Sequence, residues 1–241
     1  MMTDRTTARV VGCLFIAATV SGILSLVFWQ PVLGDDYLAQ ASLNPNRVAT
    51  GALMMIVMTV AIVAIPIVMY PILRRFSVRL AMGYIVARMI EVVVFFVGAI
   101  GVLMLLSLSR DSVGAGADVS HLQTLGGVLK DGRDGADEVL GVMAFSVSAL
   151  ILNYVLYRAR LVPRWLSDWG LAGAGLYLAA GVMVLYGLEP LSATQNVLQA
   201  PLGLQEMVFA VWLIVKGFDT GASAASPRLP EPERTSVAVG V

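Results

Sequence analysis

Histidine and cysteine occur once each in this chain of 241 residues, and lysine only twice. These scarcities exclude much chemistry. A bis-histidine haem needs two histidines at membrane depth, and multi-histidine zinc or di-iron enzymes need several. His121, in an outer loop, serves none of them. Cys13 has no intrachain disulfide partner and, inside an apolar run, reads as a small buried hydrophobe. Lys130 in a loop and Lys216 at a helix end leave no mid-span lysine for a retinal Schiff base. There is no G-x-S-x-G elbow and no serine–histidine pair at matched depth. Charge is scarce too, at 13% of residues, with 16 basic and 16 acidic residues cancelling. So balanced a chain, without a basic patch, is not built for nucleic acid. No cofactor and no metal is expected.

Apolar surface is what the chain has in abundance. Hydrophobic residues make up 58% and the mean hydropathy is +0.83, whereas soluble domains run near 25% charged. A transmembrane helix takes about 20 apolar residues. Six segments qualify: residues 10–28, 48–73, 80–108, 137–157, 169–188 and 198–217. The first follows Arg5 and Arg9 as a signal peptide would, but its apolar stretch is too long and lacks a small-x-small cleavage site. The expected fold is all-α, a polytopic bundle of six transmembrane helices over residues 1–217. The tail at 218–241 is rich in Ala, Ser, Pro and Glu and is expected to be disordered.

Arginine and lysine bias gives orientation. With the N-terminus inside, eleven basic residues fall on the inner side and four, Arg47, Arg110, Lys130 and Arg133, on the outer. Both termini are therefore expected in the cytoplasm. Aromatic residues mark the edges: Trp29 and Tyr186 outside; Tyr70, Tyr84, Tyr157, Trp165 and Trp169 inside. Pro66 should kink the second span, because proline removes a backbone donor and clashes with the preceding turn. The small pairs Ala18/Gly22, Ser21/Ser25 and Gly175/Ala179 offer close helix approach.

Three ionisable residues interrupt the spans: Arg88, Glu91 and Glu206. A charge at the bilayer centre costs from ~2.5 to more than 10 kcal/mol, so each needs a partner or water. Arg88 and Glu91 are three apart and share a helix face. Counting ~1.5 Å per residue from Arg79, Arg88 lies ~13 Å and Glu91 ~18 Å into the membrane. Glu206, counted from Lys216, lies ~15 Å in. One layer is expected, with Glu206 able to pair with Arg88 if the third and sixth spans touch. Three ionised groups would sum to −1, which makes one acid a candidate proton carrier. The alternatives are a static Arg–Glu lock between helices, or an Arg88 that snorkels to the inner interface.

The outer segment 109–136 is long and Gly-rich, and Asp131, Asp134, Asp137 and Glu138 precede the fourth span. Their spacing is not that of an EF-hand. Acidic residues suit a helix N-terminus, with Asp134 as N-cap. Arg158, Arg160 and Arg164 form a basic inner loop suited to anionic lipid.

These residues also carry a resemblance. The segment Val86-Ala87-Arg88-Met89-Ile90-Glu91, the run Tyr154-Val155-Leu156-Tyr157-Arg158 through Val162-Pro163-Arg164-Trp165-Leu166, and Pro201 through Glu206 to Trp212-Leu213-Ile214-Val215-Lys216-Gly217 resemble three signatures of one prokaryotic family, domain of unknown function 4386. The resemblance spans nearly the whole chain. It implies a multi-pass bacterial or archaeal membrane protein and brings no activity or functional residues.

The functional expectation is a non-enzymatic integral protein of the plasma membrane. Its leading role is a small-solute or proton-linked carrier built around Arg88, Glu91 and Glu206. Alternatives are a scaffold or accessory subunit with a structural Arg–Glu lock, or a metal-independent intramembrane enzyme. The bilayer is the expected partner; no protein partner can be named.

Overall fold

A computed structural model describes residues 3–34, 36–112 and 119–219. The described residues are all-α: α1 Asp4–Leu33, α2 Tyr37–Leu43, α3 Pro45–Leu73, α4 Val78–Ser112, α5 Val119–Asp134, a π-helical segment Gly135–Gly141, α6 Val142–Ala159, α7 Arg164–Leu185 and α8 Ala193–Val215. Six of the helical stretches are long and apolar enough to cross a membrane: α1, α3, α4, α5 through α6 taken together, α7 and α8. The chain is a multi-pass membrane protein. Its outward faces carry side chains such as Val60, Val93, Ile100 and Leu204, all more than half exposed. In water such a surface would aggregate; in lipid it is the solvated face.

The spans form a closed ring. Each packs on its neighbour in the chain, and α8 packs back on α1. At one end, here the terminal face, polar ties gather the ring. Arg75 donates to both Asp4 oxygens at 2.7 and 2.8 Å. Arg5 donates to the Val215 carbonyl, and the Asp219 N–H to that of Leu161. The hydrogen bond to Asp4 holds the Arg75 guanidinium above its ordinary pKa. At the distal face α5 lies over α2, with the Tyr37 hydroxyl donating to the Gln123 carbonyl at 2.6 Å. Burial and the Asp131 carboxylate push the Tyr37 phenol up.

Several expectations change here. The outer segment is not a loop over its described residues: α4 runs to Ser112, and a helix resumes at Val119 and continues into α6. His121 and Lys130 therefore sit on α5. Asp134 is not an N-cap, because it lies inside this helix with αR geometry; its carboxylate has a cation to bind instead. Trp29 and Tyr84 are not interfacial; both are fully buried. Each has a polar partner inside: the Trp29 indole N–H donates to the Val48 carbonyl, and the Tyr84 hydroxyl accepts from Arg88. Cys13 is exposed on the outside of the bundle rather than buried, on the opposite side of α1 from Phe15 and Val11. Ser21 and Ser25 are buried on α1, but Gly175 and Ala179 are exposed and join no helix interface among the described residues. Pro66 is buried in a helix that continues through it; the Ile62 carbonyl loses its helical donor there. Phe218 packs onto the core at the terminal face, and the remainder of the expected tail, from residue 220, lies outside the described residues.

Candidate functional site

Helical spacing puts Arg88 and Glu91 on the inward face of α4. Arg88 Nη1 donates to both Glu91 oxygens at 3.1 Å. Its Nη2 reaches Glu206 Oε1 on α8 at 3.5 Å, and its Nε reaches the Tyr84 hydroxyl at 3.4 Å. Arg88 does not snorkel: it and Glu91 are 2% exposed, and the Glu206 side chain is 15% exposed. The guanidinium carbon also lies 5.0 Å from the Phe145 ring centre, 5.6 Å from Tyr84 and 5.9 Å from Phe15. Ring faces attract a cation, most strongly where water is excluded.

Glu206 is aimed by its neighbour. The Gln205 amide donates to Asn153 Oδ1 at 3.3 Å and to the Leu166 carbonyl at 3.1 Å. These bonds fix the rotation and height of α8 against α6 and α7. The next residue, turned by about 100°, meets Arg88. The three residues singled out from the sequence are thus one layer in the middle of the ring. It holds one cation and two carboxylates, and Glu206 is the more accessible acid.

A second charged cluster lies toward the distal face. Arg133 on α5 is buried. It contacts Asp134 at 2.6 Å, Asp137 at 3.1 Å and Glu138 at 3.9 Å. Gln195 on α8 donates to Glu138 at 2.9 Å, and the Trp29 ring lies 5.8 Å from the guanidinium carbon. Gly98 on α4 makes room for Asp137; a Cβ there would strike the carboxylate. Sequence reasoning assigned Arg133 to a loop and the acids to a helix start. The i, i+4 spacing of Arg133 and Asp137 was the readable signal.

A cavity of about 210 Å³ adjoins this cluster. Arg133, Asp137 and Glu138 line one part, and Phe145 and Tyr177 another. Those two rings meet edge to face at 4.9 Å, and Phe145 also covers Arg88. An aromatic pair therefore stands between the two charged clusters.

Arg160 and Arg164, with Lys216, line a separate open hollow of about 710 Å³ at the terminal face; Arg158 is not part of it. Among the described residues no three His, Cys, Asp or Glu side chains converge as a metal site. No curated protein and no solved structure matches the chain. The sequence model of the domain of unknown function DUF4386 does match, over residues 10–217, and the chain belongs to that family.

Proposed function

We propose that this chain is a proton-linked carrier of a small solute, with Glu206 as the proton-exchanging acid and Arg88 as its fixed counter-ion. The observation that carries the reading is the stacking of two buried charged clusters at different depths, with an aromatic pair between them and a cavity ending on that pair. A purely structural lock would need only the Arg88 layer. An intramembrane charge is a functional candidate by default, and one guanidinium facing two carboxylates leaves an acid free to take up and release a proton. The lysine and arginine bias supports both termini in the cytoplasm, and residence in the plasma membrane is part of the same proposal.

The test is solute uptake into proteoliposomes under an imposed pH gradient, with internal pH followed by a dye. Wild-type protein should move protons with solute. Glu206→Gln should abolish proton movement while leaving folded yield unchanged. If Glu206→Gln instead removes folded protein, and Glu206→Asp restores folding without restoring proton movement in any solute screen, the structural lock stands in place of the carrier.

A further inference from the structure

Residues that line the distal cavity carry polar atoms that the protein leaves without hydrogen-bond partners. Both Asp137 carboxylate oxygens are buried without a hydrogen-bond donor, and so is Arg133 Nε without an acceptor. Arg133 Nε lies 3.1 Å from Asp137 Oδ2 but is not aligned to donate. Gln199 Nε2, on the same cavity wall, is also buried and without an acceptor. Native proteins rarely leave buried polar atoms unpaired, and each exception calls for a reason. Here the three residues that carry unpaired atoms, Arg133, Asp137 and Gln199, all line one cavity: carboxylate oxygens need a donor, and an amide N–H needs an acceptor.

Charge narrows the class of occupant. The single guanidinium of Arg133 faces three carboxylates, those of Asp134, Asp137 and Glu138. A cation compensates this excess; an anion worsens it. Size and polarity narrow it further. The cavity of about 210 Å³ is smaller than the ~300–1,000 Å³ of drug-sized sites. The rings of Phe145 and Tyr177 line it as well and suit an apolar, aromatic body.

We propose that this cavity binds a small arylalkyl primary ammonium, its charged end on Asp137 and Glu138 and a hydroxyl or ether oxygen accepting from Gln199. The site goes beyond the proton-exchanging layer at Arg88 and does not require the protein to transport anything.

Equilibrium binding tests it. Full-length protein in lipid nanodiscs is titrated calorimetrically with three near-isosteric probes: tyramine, its neutral alcohol counterpart tyrosol, and the anion 4-hydroxyphenylacetate. Tyramine should bind saturably, tyrosol about tenfold more weakly or worse, and the anion not at all. Asp137→Asn should weaken tyramine by about tenfold or more, and Gln199→Met by a smaller factor. If Asp137→Asn does not fold, Gln199→Met and the ammonium-to-alcohol ratio still decide. No saturable heat from tyramine, equal affinity for tyrosol, or an unchanged tyramine affinity in the variants would overturn the proposal. Loss of proton movement in Glu206→Gln with tyramine binding intact separates this site from the carrier reading.

Discussion

Replacing Arg88 with methionine should cost far more stability than neutralising Glu91, although Glu91 is its closest partner. The reason lies in which bonds unfolding breaks. In mixed micelles a denatured helical membrane protein keeps its helices and loses contacts between them. Arg88 and Glu91 sit three apart on α4, so their bonds at 3.1 Å can persist in both states and largely cancel. The Arg88–Glu206 pair at 3.5 Å and the ring contacts to Phe15 and Phe145 join different helices and are lost. An interhelical polar contact in a membrane contributes ~0.6–1.7 kcal/mol, and a desolvated cation–π contact about 1 kcal/mol. Arg88→Met should therefore cost ~2–4 kcal/mol. Glu91→Gln should change stability by ~0.5 kcal/mol or less. Titrating detergent-solubilised protein with sodium dodecyl sulfate, and following helix separation by tryptophan fluorescence, gives both values. The reasoning fails if Glu91→Gln is as damaging as Arg88→Met, or if Arg88→Met is indistinguishable from wild type.

Two further outcomes follow from close packing and from charge. Gly98→Ala puts a methyl group into the Asp137 carboxylate and should destabilise by ~1–3 kcal/mol, visible as a lower midpoint in the same titration; an unchanged midpoint would show that Asp137 moves aside freely. The combined Arg160→Gln, Arg164→Gln and Lys216→Gln variant removes three cations from one hollow. At ~1 kcal/mol per cation, its retention of anionic lipid should fall about a hundredfold, measured by lipid extraction and mass spectrometry after purification; equal retention would assign these residues to topology alone.

The six spans and the Arg88 layer were legible in the sequence because membrane energetics acts residue by residue. A run of twenty apolar side chains has few alternatives to a helix, and a charge within it stands out. Depth counting then needed only the helix rise to bring Glu206 level with Arg88. The Arg133 cluster was not legible in that way. Its residues lie in a Gly-rich, polar stretch with the composition of a loop, and what buries them is the packing of α4 and α7 against them. Trp29 and Tyr84 misled for a related reason. Aromatic rings near span ends commonly sit at the interface, yet each of these has an internal polar partner that only the packed ring supplies.

The π-helical segment Gly135–Gly141 has a consequence for how the second cluster could arise. In an α-helix residues five apart point about 140° away from each other, at about 100° per residue. Wider i→i+5 turns bring such residues back onto one side, and these turns occur mostly as single-turn bulges inside α-helices. Arg133 can thus reach Asp137, four residues on, and Glu138, five on, from the same strip of helix. A bundle whose fourth span ran as uninterrupted α-helix would turn one of these acids away from the guanidinium. At the level of the gene, acquiring or losing the second buried charged cluster can be as small an event as the insertion or deletion of one codon.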